Sequence, residues 1–156
     1  MRPYLATWHK AYLAPAPQAQ IRMPGAQILA NARVDNIRRV TLGLNGSAEA
    51  ATMSLVVPGA AKLTRIAIGR KTVAVPKDWA NDKHVVIGCL SADCSAMAVT
   101  LDMEATGPLD ITVIERRAGL PGFATKLAAA RPGTAVPSQF GDGIVLLTPL
   151  TVPAAK

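Results

Sequence analysis

From residue 21 onward, apolar and polar positions alternate with a period of two. In RRVTLGLN, Val40, Leu42 and Leu44 alternate with Arg39, Thr41 and Gly43; Leu55 and Val57 repeat the pattern in TMSLVV, as do Ile66 and Ile68 in TRIAIG. That period puts every second side chain on one face of a strand, so each segment offers an apolar face to a core. KTVAV (71–75), HVVIGCL (84–90), AMAVTLDM (96–103), DITVIER (110–116) and IVLLTPLTV (144–152) read as further strands. LNGSAEA, VPGAA, PKDWANDK, LSADCS and ATGPL separate them, rich in residues that turns favour. Seven or eight short strands so punctuated predict an all-β fold, an antiparallel β-sandwich with one solvated face per sheet.

One segment breaks the pattern. RRAGLPGFATKLAAARPGTAVPSQFGDG, residues 116–143, predicts one short helix before the last strand. Pro121 suits the first helical position, Phe123 and Leu127 stand four apart on one face, and Arg131, Pro132 and Gly133 end the turn. A helix of about ten residues is marginal alone, so it must dock on the sandwich with Phe123 and Leu127 inward. If the Phe123 ring is buried, its loss should cost about 3–5 kcal/mol. Arg131 is placed to bond the last helical carbonyls. Gly141, Asp142 and Gly143 make a tight turn into the final strand.

The organisation follows from these assignments. Residues 1–20 form an N-terminal segment and Pro-rich linker (LAPAPQAQ at 13–20), residues 21–152 the sandwich, and residues 153–156 a tail. Trp8 and Tyr12 would share a face of a short amphipathic segment suited to a membrane interface. Half the residues are apolar but only six are aromatic, which suits a core of small side chains. The net charge of +7 is concentrated early: residues 1–40 carry six basic groups and one acidic group. No basic stripe interleaved with aromatics accompanies it, so nucleic acid is not an expected partner; an anionic membrane surface is a possible one. No apolar run approaches the ~20 residues a spanning helix needs, and the first residues lack the features of a secretory signal. Met1 is compatible with a true start or with the cut edge of a longer protein.

Candidate chemistry is sparse. Cys89 and Cys94 flank a turn in IGCLSADCSAM. Their spacing fits neither a zinc knuckle nor a Cys-x-x-Cys redox pair, and suits a disulfide across a hairpin. Such a bond would stabilise by about 2 kcal/mol and implies an oxidising compartment. Asp82, His84 and Ser138 can be drawn as a hydrolytic triad, but no G-x-S-x-G elbow supports Ser138, and an exposed histidine at the start of a strand is the plainer reading. Asp78, Asp82, Asp102, Glu104 and Asp110 read as surface carboxylates. The glycines form no phosphate loop, and one Asp between glycines is too few ligands for calcium.

Two stretches together carry a family resemblance. Cys89 and Cys94 with their neighbouring strands, Gly119-Leu120-Pro121, Arg131-Pro132, and Pro137-Ser138-Gln139 with Gly141-Asp142 resemble the C-terminal end of membrane-bound zinc exopeptidases related to the endoplasmic metallopeptidase. The match covers residues 80–150 well and residues 15–75 only in general pattern. It implies a bacterial, extracytoplasmic accessory domain, tethered on the periplasmic side, whose partners are the peptidase and transmembrane parts of the parent protein. In that family zinc sits in the catalytic domain, so the resemblance implies no cofactor and no catalytic residue in this chain. The alternative is a free-standing secreted binding module for glycan or peptide, with Trp79 as its only candidate platform; a hydrolase built on His84 ranks last.

Overall fold

The computed structural model describes residues 18–90, 92–130, 132–133 and 142–155. Nine strands run through them: β1 (Gly25–Val34), β2 (Ile37–Asn45), β3 (Ala50–Pro58), β4 (Leu63–Ile68), β5 (Lys71–Ala74), β6 (His84–Cys89), β7 (Ala98–Met103), β8 (Leu109–Ala118) and β9 (Gly143–Val152). They form two antiparallel sheets, one in the order β1-β2-β7-β4-β5 and the other β6-β3-β8-β9. The predicted β-sandwich is the fold.

The alternating positions build the core. Val40, Leu42 and Leu44 of β2, Met53, Leu55 and Val57 of β3, Val99, Leu101 and Met103 of β7, and Ile111 and Val113 of β8 are buried in one cluster between the sheets. The opposite faces are not uniformly solvated. Val56 of β3 and Ile114 of β8 alternate out of the core face and are nevertheless buried. Both belong to the two central strands of their sheet, where cross-strand neighbours such as Val86 and Leu147 flank them.

β1 is the strand the alternation did not reveal. Its sequence, GAQILANARV, has no regular period, and a register shift between Ile28 and Ala30 breaks what period there is. As an outermost strand it buries little, so its side chains are under weak pressure to alternate. Asp35, in the left-handed conformation at φ 55°, turns it into β2.

The segment after β8 also differs from expectation. Pro121 precedes a 3-10 turn at Gly122–Ala124, and the helix that follows, α1, covers only Thr125–Ala129. Phe123 is not an inward anchor: its side chain is 44% exposed, and Ala124 beside it is buried. A 3-10 turn repeats every three residues rather than 3.6, which moves Phe123 off the inward face that an α-helical reading assigns it. Leu127 lies in α1 with its side chain outside the described residues, as are Arg131, Pro137, Ser138, Gln139 and Gly141. Phe123→Ala should therefore lower the urea midpoint by the equivalent of under about 1 kcal/mol; a loss of several kcal/mol would restore the anchoring role.

Candidate functional site

Two ends of the sandwich are closed by buried arginines, and the alternation itself marks where. Arg38 has the parity of Val40, Leu42 and Leu44, which puts it on the core face of β2, where it is buried. Its guanidinium has no carboxylate partner among the described residues. It donates instead to Asn31 Oδ1 at 2.9 Å and to the carbonyls of Ala105, Gly107 and Pro153. Burial lowers its pKa from the usual arginine value. At the opposite end, Glu115 and Arg117 extend the core-face parity of Ile111 and Val113 on β8, and both are buried. Arg117 Nε donates to Glu115 Oε1, while the Ser47 amide and hydroxyl donate to the same carboxylate at 3.0 and 2.6 Å. Arg117 Nη2 also donates to the Arg22 carbonyl at 2.6 Å, fixing the segment that leads into β1. Arginines at strand ends are thus not merely solvated surface here.

A third cluster lies on the outer face of the five-stranded sheet. Asp102 of β7 sits between Arg39 of β2 and Arg65 of β4, its partners in register. Arg39 holds both carboxylate oxygens, at 2.7 and 3.0 Å, and Arg65 Nε binds Oδ2 at 2.7 Å. The reading of Asp102 as an ordinary surface carboxylate is corrected by its burial beneath these two side chains. Sequence alternation could not reveal the cluster, because it depends on which strands become neighbours.

These contacts shift the carboxylates. The Arg39 hydrogen bond, helped by Arg65, holds Asp102 below the usual range despite its burial. Burial pushes the Glu115 carboxyl up, but the Ser47 and Arg117 hydrogen bonds together outweigh it and leave the group lowered. Each folded-state pKa lies below its unfolded value, so the associated stability is complete above the unfolded values of about 4 and drains away as pH falls through the folded ones. The melting temperature should be flat between about pH 5 and 7 and drop steadily below about pH 4. A melting temperature that held or rose on acidification would contradict the assignment of these two groups.

Cys89 and Cys94 are joined in a disulfide with Cα atoms 5.9 Å apart. The bond does not cross a hairpin, as predicted. β6 and β7 belong to different sheets, so it closes the connection that carries the chain from one sheet to the other. Hydrogen bonds from Leu44 N to Met97 O and from Gly46 N to Ser95 O, both 2.8 Å, tie that connection to the end of β2. Beside the bond is an apolar crevice lined by Met53, Ile68, Ile87 and Met97, with about 10 Å³ of internal space. That is room for one water at most and far below the several hundred Å³ of a small-molecule site.

The residues that carry the sequence resemblance are partly brought together. Gly119, at φ 84°, donates its N–H to the Asp142 carbonyl at 2.8 Å, closing the base of the β8–β9 connection. Leu120 and Pro121 are half-buried beside it, and Pro132 is exposed. His84 is half-buried at the start of β6 and Asp82 is exposed, but Ser138 lies outside the described residues, as do His9, Trp8 and Tyr12. Among the described residues no group of three or more His, Cys, Asp or Glu side chains could hold a metal ion, and no helix is long and apolar enough to cross a membrane.

Met23, Leu29 and Val34 are exposed on and just before β1 at one flank; the other flank is formed by β5, the β5–β6 connection and β6. Large apolar side chains are exposed along it, Val73 (63%), Trp79 (44%) and Val86 (55%), with Leu90 (84%) just after β6. The 3-10 turn Lys77–Asn81 displays Trp79 on that connection. No protein-family model, curated protein or solved structure matches the chain.

Proposed function

We propose that this chain is a non-catalytic accessory domain that works by packing against another folded unit in an oxidising, extracytoplasmic setting. The apolar flank carries the reading: a soluble domain gains nothing from keeping Val73, Val86 and Leu90 in water unless a partner covers them. The Cys89–Cys94 disulfide supports the compartment. The unit to which the sequence resemblance points is the peptidase and membrane part of a zinc exopeptidase, which would supply the zinc and the chemistry. The reading frame upstream of Met1 tests this directly. Continuous coding for a zinc-peptidase domain and membrane helices is expected; a start at Met1 with no peptidase gene nearby would overturn the parentage.

Trp79 favours one other reading. An exposed indole is what a glycan- or peptide-binding module displays. Trp79→Ala would then abolish binding on a glycan or peptide array without changing the melting temperature. Absence of any array binding by the wild-type chain would remove this reading.

A further inference from the structure

The two sheets are unequal, and the inequality leaves one strand position unfilled. β1 lies beside β9 on one flank, so on the other the five-stranded sheet runs one strand farther, and β5 overhangs β6. Val73 shows the consequence. It shares a face with its register partner Ile66, which packs on the core, yet Val73 is 63% exposed.

The edge of β6 that borders this space is ready to pair. Among the described residues β6 pairs only with β3. The Gly59 N–H donates to the Lys83 carbonyl at 3.0 Å, in the same register as the β3–β6 ladder. The antiparallel alternation then turns the amides and carbonyls of Val85, Ile87 and Cys89 toward β3, and those of His84, Val86 and Gly88 outward. The other three outer strands carry devices that discourage pairing. β1 has its register shift and Arg33, β9 has Pro149, and β5 is four residues long and begins with Lys71. β6, HVVIGC, has no Lys, Arg, Asp or Glu, no proline and no shift in register.

We propose that the open edge of β6 takes up a single extended strand from a partner polypeptide, uncharged and apolar at alternate positions. It would become the fifth strand of the smaller sheet. Its outward-facing side chains would lie beside Val86, and its inward ones would fill the space under Val73 and beside Ile87. A second copy of this chain is a poor occupant. Pairing β6 with β6 about a two-fold axis brings along the partner's larger sheet, whose β4 would fall where β5 already lies. A lone strand meets no such obstacle. The inference deepens the accessory-domain reading by naming the contact, but its test does not depend on the parent being a peptidase.

The test pans a phage-displayed library of random linear peptides on the full chain and measures amide exchange with the best binder. Enriched peptides should have apolar residues at alternate positions. Bound peptide should slow exchange at Val86 and Gly88, whose N–H groups face outward. Val86→Pro removes one outward N–H and no β3–β6 hydrogen bond, and should weaken binding at least about tenfold. Val86→Lys, which changes only an exposed side chain, should do likewise if the proline variant folds poorly. Peptides without alternation, or binding that survives both variants, would overturn the proposal. So would amides at Val86 and Gly88 already protected in the free chain, or self-association that either variant dissolves.

Discussion

Glu115→Ala is expected to cost about 3–5 kcal/mol of stability, a large share of the 5–15 kcal/mol that holds a typical domain together. The loss follows from what stays behind. Arg117 is buried, and among the described residues its one close carboxylate partner is Glu115, since its contact with Glu49 is 3.9 Å long and that side chain is exposed. Without Glu115 the guanidinium keeps, among the described residues, one strong acceptor, the Arg22 carbonyl, and the Ser47 amide and hydroxyl lose theirs. An uncompensated buried charge is more damaging than the loss of the pair as a whole. Glu115→Leu combined with Arg117→Met should therefore recover more than half of what Glu115→Leu alone loses. Urea unfolding measures both: the single variant should lower the midpoint by more than about 1 M. A double variant as unstable as the single one would show that shape, not charge, governs this end of the sandwich.

Arg38→Met is the second large effect, at about 3 kcal/mol or more. Methionine can fill much of the space but cannot donate. It strands the carbonyls of Ala105 and Gly107, takes one of two donors from the Pro153 carbonyl, and leaves Asn31 Oδ1 without its donor. Residues 153–155 are held to the loop after β7 by this guanidinium and by Ala155 N on Thr106 O at 3.2 Å, and to β1 by Asn31 Nδ2 on Pro153 O at 2.9 Å. The variant should therefore speed amide exchange at Ala155 much more than in the core of β3. Arg38→Lys should rescue little, because one ammonium cannot reach acceptors fanned around a planar fork. Equal exchange in wild type and Arg38→Met would show that the tail is held by something else.

The sequence made the sandwich legible because eight of its strands alternate, and alternation is a property of a single strand. It was silent on β1, whose outermost position relaxes the pattern, and on sheet membership, which is why the Cys89–Cys94 bond was expected to cross a hairpin. Arg38 and the Glu115–Arg117 pair were readable in principle. Both continue an apolar parity with charged residues, and a charge on a core face needs a partner. Asp102 was not readable, because Arg39 and Arg65 reach it from positions 63 and 37 residues away. The open flank depends on the mismatch between a five-stranded and a four-stranded sheet, a quantity no local pattern encodes.

The two buried arginines also set a direction. Arg117 grips the chain at Arg22, where it enters the sandwich, and Arg38 grips it at Pro153, where it leaves. β1 and β9 start at the same end and are each ten residues long, so entry and exit stand about 30 Å apart. Tension applied between them would load the β1–β2 and β8–β9 ladders in shear, all rungs together rather than one at a time.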